Sequence, residues 1–130
     1  MVSRRAFFTL PICVALGLDA ALAGEAPKPF EAQAFEAAQK AGKPILVEIS
    51  APWCPVCAAQ KPIIEKLRVE PRFKELEIFT IDFDTQKGLM RRFGAHVQST
   101  LICFKGPKET GRSIGETQPE WIEQLLVKTL

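Results

Sequence analysis

ILVEISAPWCPVCAAQKPIIEKL, residues 45–67, opens as an apolar run, breaks, and restarts as a helix. Ile45 to Ile49 has the length and composition of a strand buried on both faces. Ala51-Pro52-Trp53 interrupts it. Pro55 suits the first helical position, because its missing N–H would have had no intrahelical partner, and this leaves Cys54 at or beside the N-cap. Cys57 follows one turn later on the same helix face, so the two sulfurs can bond and reopen by thiol exchange.

A helix N-terminus favours negative charge, through its unpaired N–H groups and the macrodipole. The Cys54 thiol is therefore expected to ionise more readily than a free thiol at about pKa 8.5 and to be the attacking sulfur. Cys57, deeper in the helix, is expected to resolve the mixed disulfide.

At these residues the chain resembles the thioredoxin superfamily: the strand, Trp53-Cys54-Pro55-Val56-Cys57, the redox helix, and Pro62, eight residues after the first cysteine, where thioredoxins carry a helix-kinking proline. A bare C-x-x-C also serves zinc sites and structural bridges, so the strand, Trp53 and Pro62 are what turn it toward redox exchange.

The chain has 130 residues, of which 47% are hydrophobic and 25% charged, enough for one globular domain with its own core. A net charge of +2 with scattered Lys and Arg argues against a nucleic-acid partner. Residues 1–23 read as an export signal peptide. Ser3-Arg4-Arg5 supplies the positive start, an apolar segment follows from Ala6 to Leu18, and Ala21-Leu22-Ala23 is a small-x-small cleavage site. Ser-Arg-Arg-x-Phe resembles the twin-arginine signal, with Sec export as the other route. An uncleaved membrane anchor is the alternative, against which stand Asp19 and the shortness of the apolar segment. Cleavage removes Cys13, so Cys103 is left beside the Cys54/Cys57 pair. In the run Thr100 to Phe104 it reads as a buried, inert thiol.

Residues 24–29 read as a flexible linker and 30–130 as the domain. Within it, Phe30 to Ala41 has helical spacing and stops at Gly42. Leu76 to Phe83 is a second strand, parallel to the first because a helix joins them. Asp84 or Thr85 can cap a short helix with Leu89, Met90 and Phe93 inward and Gly94 as its stop. Strands over about 100–104 and 110–115 flank a Gly-Pro turn and pair antiparallel. Thr117-Gln118-Pro119-Glu120 reads as a capping box for the last helix, whose inner stripe is Ile122, Leu125, Leu126 and Thr129. The sum is an α/β fold with a mixed four-stranded sheet, βαβ then ββα, helices on both faces. The resemblance implies the same thioredoxin-like order over residues 30–130.

Glu48 is an acid inside an otherwise apolar strand. Burial raises a carboxyl pKa toward neutrality. Many thioredoxins carry an aspartate here, so the resemblance implies that Glu48 relays the Cys57 proton; the other reading points it to solvent. Ser99 stands where the family has a cis-proline facing the dithiol. A cis bond before a non-proline residue costs about 3 to 4 kcal/mol, so Gln98–Ser99 is expected to be trans. The resemblance makes Trp53, Pro55, Gln98, Ser99 and Thr100 the substrate-binding surface. No cofactor and no resident metal are expected.

The resulting expectation is a thiol–disulfide oxidoreductase of the cell envelope, a periplasmic monomer reducing cysteine-containing exported proteins. The resemblance leans toward reduction, because compact domains lacking the helical insertion of DsbA are usually reductants. It further implies a role in cytochrome c maturation with a membrane electron donor of the DsbD/CcdA type. A second reading, from a different class, is a metal-binding or copper-delivery module using Cys54, Cys57 and His96.

Overall fold

The structure, a computed structural model, describes residues 23–130. The leader read over residues 1–23 lies outside the described residues, apart from Ala23.

In chain order the elements are β1 (Lys28–Pro29), α1 (Ala32–Lys40), β2 (Pro44–Ser50), α2 (Pro55–Arg68), a 3-10 turn (Pro71–Phe73), β3 (Glu77–Asp82), α3 (Lys87–Arg92), β4 (Thr100–Lys105), β5 (Lys108–Ile114) and α4 (Pro119–Val127). They build one sheet in the order β1-β3-β2-β4-β5. β2 and β3 are parallel, as a helical crossover requires, and β4 and β5 are antiparallel around the Gly106-Pro107 turn. The α/β fold with helices on both faces is as the sequence implies.

The sheet has five strands rather than four. β1 adds a parallel two-residue edge, Lys28 beside Phe79 and Pro29 beside Thr80. Residues 24–29 are therefore not a free linker. The Gly24 N–H donates to the Arg68 carbonyl at 2.7 Å, and Arg68 Nη1 returns a bond to the Gly24 carbonyl at 2.9 Å. Lys28 holds Glu25 at 2.9 Å and Glu77 at 3.0 Å. A strand ending in proline has no apolar alternation and lacks one ladder donor, so its composition looks like a lead-in.

Alternation along β2 separates two cores. Ile45, Val47 and Ile49 face α1 and α3, in a cluster with Phe30, Phe35, Phe79, Ile102, Phe104 and Met90. Leu46 faces the other way, with Ile64, Leu67, Ile78, Leu101, Cys103, Ile122 and Leu126. Each such side chain, fully buried, contributes about 1.5–3 kcal/mol. On the first face the phenylalanines meet edge-on. Phe35 lies 5.7 Å from Phe79 and 5.4 Å from Phe104, centroid to centroid, at interplanar angles of 82°. Such pairs add about 0.5–1.5 kcal/mol each beyond area burial and fix which rings meet.

Gly42 and Gly94 stop α1 and α3 with φ of 70° and 61°, the left-handed conformation expected of them. Two caps differ from expectation. Gln86, not Asp84 or Thr85, is the N-cap residue of α3, and Asp82 Oδ1 instead accepts from the backbone of Asp84 and Thr85 at 2.8 and 2.9 Å. No capping box forms at α4. Pro119 takes the first helical position, which makes Gln118 the N-cap residue, and Glu116 Oε1 accepts from the N–H groups of Thr117 and Gln118.

Candidate active site

Cys54 is the N-cap residue of α2 and Pro55 its first helical residue. The Cys57 N–H donates to Cys54 Sγ at 3.1 Å, so the sulfur takes the place a serine or aspartate oxygen fills at other helix starts. Both residues are buried, at 2% and 3% exposure. Burial first, and then the hydrogen bond with Cys54, push the Cys57 thiol above the usual range, against smaller pulls from the Ala51 backbone and the Ser50 hydroxyl. Cys57 therefore keeps its proton at neutral pH, while Cys54 holds the N–H that a thiolate would use.

The sheet beneath α2 changes character toward this end. Register pairs Leu46 with Ile78, then Glu48 with Thr80, then Ser50 with Asp82. An apolar face thus turns polar over two residue pairs as it nears the cysteines. Glu48 lies under the helix, not at the solvent end of its strand. It lines a groove of about 230 Å³ with Ser50, Lys61, Ile64, Glu65 and Thr80. Burial pushes its carboxyl up to about 7, despite the Thr80 hydroxyl donating to it at 3.3 Å and the positive charge of Lys61.

Trp53 is 56% exposed beside the dithiol. Its Nε1 donates to Asp84 Oδ2 at 2.9 Å and its ring meets Phe83 edge-on, so an exposed indole is nonetheless held in one pose. Pro55 is exposed and Val56 half-buried next to it. On the opposing loop, Gln98 is half-buried and Ser99 and Thr100 are buried. The Gln98–Ser99 bond is trans, and Ser99 has φ 61°, alone among the described non-glycine residues in being left-handed. The Ser99 N–H donates to the Ile49 carbonyl at 2.7 Å, its hydroxyl donates to the Gln98 carbonyl, and Thr100 Oγ1 donates to the Val97 carbonyl at 2.6 Å.

His96 is exposed, and among the described residues no three His, Cys, Asp or Glu side chains converge on a metal position. That geometry lends no support to the metal-module reading, which combines Cys54 and Cys57 with His96, since the two cysteines are buried and His96 is exposed. Cys103 is fully buried in β4 and burial pushes its thiol up to about 12, which makes it inert as expected.

Three residues escaped the sequence reading. The Ser50 hydroxyl pulls slightly down on the Cys57 thiol, and Asp84 anchors Trp53. Gln60, 4% exposed, donates from its side-chain amide to the carbonyls of Ser99 and Glu116 at 3.2 and 2.9 Å. Only Gln60 left a signal: it is a polar residue on the buried stripe Cys57, Gln60, Ile64, Leu67.

A parallel-centred mixed sheet that carries a paired dithiol on the first turn of the helix after its central strand defines a protein of the thioredoxin class. The thioredoxin family model matches residues 26–128. The chain is 32% identical over 84 residues to a thioredoxin of Chlamydia muridarum, covering 65% of this chain and 80% of that one. It is 30% identical over 111 residues to protein disulfide-isomerase erp38 of Neurospora crassa, 84% of this chain but 29% of that longer protein. Among solved structures it is similar to Trxlp from Edwardsiella tarda, with a TM-score of 0.75 and 40% identity over 78% of this chain and 98% of that one. The chain belongs to the thioredoxin family, and its activity is thiol–disulfide oxidoreduction.

Proposed function

We propose that the protein is an exported reductant of disulfides in other proteins of the cell envelope, acting through Cys54 and Cys57. The observation that carries this reading is the Cys57 N–H directed into Cys54 Sγ at the start of α2. It supports reading Cys54 as the attacking sulfur and Cys57 as the resolving one.

The Cys54 thiolate attacks one sulfur of a substrate disulfide, and the substrate S–S bond breaks as the mixed disulfide forms. The departing substrate thiolate takes a proton from solvent. Cys57 then gives its proton to the Glu48 carboxylate by way of the groove that Ser50 and Glu48 share. The resulting thiolate attacks Cys54 Sγ, and the second substrate thiolate leaves. Two electrons pass from the dithiol to the substrate, and a Cys54–Cys57 disulfide remains. Trp53, Pro55, Gln98, Ser99 and Thr100 frame the surface on which an extended peptide lies.

The family resemblance supplies the source of electrons that reopens this disulfide, a membrane donor of the DsbD/CcdA type. Reduction is favoured over oxidation because, among the described residues, α2 runs to β3 through one 3-10 turn with no inserted helical domain. The twin-arginine-like leader over residues 1–23 supports periplasmic export, with residues 24–130 as the mature domain, and cytochrome c maturation is the role the resemblance suggests.

Two measurements test this. Residues 24–130 are expected to catalyse insulin reduction by dithiothreitol, with Cys54→Ser removing all turnover; catalysis that survives Cys54→Ser overturns the assignment. In cells, the full chain is expected in the periplasmic fraction beginning at Gly24. A chain that stays in the cytoplasm with its leader overturns the export reading.

A further inference from the structure

Ser99 is held on three sides. Its N–H bonds to Ile49 at the end of β2, and its carbonyl accepts from the Gly115 N–H at 3.1 Å, after β5. The third bond to it comes from Gln60, one turn beyond Cys57 on α2. The same Gln60 amide also reaches the Glu116 carbonyl, so it fastens two loops to the helix that bears the dithiol. Both partners are carbonyl oxygens, which settles the amide's orientation. An NH₂ group supplies two donors, a hydroxyl one and a carboxylate none. At 4% exposure no water stands in for a missing donor without entering the core.

We propose that Gln60 is the positioning residue that sets the Gln98–Ser99 loop against the redox helix, doing by hydrogen bonds what a rigid loop residue would otherwise do, so that protein disulfides dock at Cys54. Ser99 adopts a left-handed backbone that serine does not favour, and it stays there only if its surroundings fix it. This inference rests on the reading of that loop as the substrate surface. It predicts a division between substrates. A small aromatic disulfide reaches Cys54 without the loop, whereas a protein substrate must pair with it.

The test compares the parent domain with Gln60→Met, which keeps length and helix propensity but has no donor. KM for insulin is expected to rise roughly tenfold, the factor that the lost bond to the Ser99 carbonyl alone corresponds to. The rate with 5,5′-dithiobis(2-nitrobenzoate) and kcat for insulin are expected to stay within about twofold of the parent. An unchanged KM, or equal losses on both substrates, overturns the proposal. Amide hydrogen exchange decides it independently of turnover. In the parent, the Ser99 and Gly115 amides are expected to be as protected as those of β4, and in Gln60→Met to exchange at least about tenfold faster; equal protection in parent and variant contradicts the tether. A parent inactive toward insulin sinks the functional reading, and the exchange result still decides the role of Gln60.

Discussion

Glu48 and Thr80 stand opposite each other on parallel strands, and the Thr80 hydroxyl donates to the Glu48 carboxylate at 3.3 Å beneath the redox helix. One hydrogen bond does not offset the burial of the charge, so the carboxyl is raised from 4.5 to about 7. An acid whose folded pKa exceeds its unfolded one binds its proton more tightly when folded. Its favourable contribution is present at low pH and declines as pH rises from about 4.5 to about 7. The span corresponds to about 3 kcal/mol. Glu48→Gln is therefore expected to be more stable than the parent at pH 8, and the difference should close near pH 4.5. Urea unfolding of both at the two pH values checks this, and a pH-independent difference contradicts it.

In the proposed exchange the same group takes the Cys57 proton. With Glu48→Gln, formation of the mixed disulfide at Cys54 is expected to keep its rate, while its resolution by Cys57 slows by about 10- to 100-fold near pH 7. Single-turnover kinetics separate the two steps. Superimposable pH profiles for resolution in parent and variant remove the relay.

Restoring the family's proline at position 99 is expected to harm this chain. Proline fixes φ near −65°, against the 61° observed, and it deletes the N–H that bonds to Ile49. Ser99→Pro should cost about 3 kcal/mol, visible as a fall in the urea midpoint at unchanged slope. A gain in stability means that the loop rearranges around the proline.

Gly24 carries a steric demand. A Cβ there lies 2.7 Å from the Phe73 carbonyl oxygen and 3.1 Å from that of Arg68, both backbone atoms. Gly24→Ala is expected to destabilise residues 24–130 by about 1–3 kcal/mol, since the contact is relieved only by undocking the segment before β1. Thermal unfolding measures the loss. A melting temperature equal to the parent's shows the segment to be dispensable.

Cys103 gives a negative control for the dithiol. Its thiol is buried and pushed up to about 12. In the reduced native domain at pH 7, iodoacetamide is expected to label Cys54 and leave Cys103 unmodified until denaturant is added. Mass spectrometry of tryptic peptides reads both sites. Labelling of Cys103 in the native domain contradicts its burial.

The sequence made β2, α2 and the dithiol legible because each rests on local chemistry. A run buried on both faces, a proline at the first helical position and a cysteine before it need no knowledge of the rest of the chain. β1 was not legible: its partners Phe79 and Thr80 lie about fifty residues away, and a Lys-Pro pair carries no alternation. Ser99 could be placed in the loop, but its left-handed backbone depends on Ile49, Gly115 and Gln60, from three other parts of the chain. The cap of α4 departs from the pattern for a local reason, since Pro119 takes the first helical position and so moves the N-cap to Gln118, one residue past the threonine that the capping-box pattern selects.

The central claim is that Cys54 and Cys57 form and open a disulfide reversibly at a reducing potential. Equilibrating residues 24–130 with glutathione or dithiothreitol buffers and following Trp53 fluorescence measures it directly. The account predicts one two-electron transition toward the thioredoxin end, about −270 mV, that disappears in Cys57→Ser. A transition near the DsbA value of about −120 mV contradicts the assigned direction, and no reversible transition at all contradicts the exchange itself.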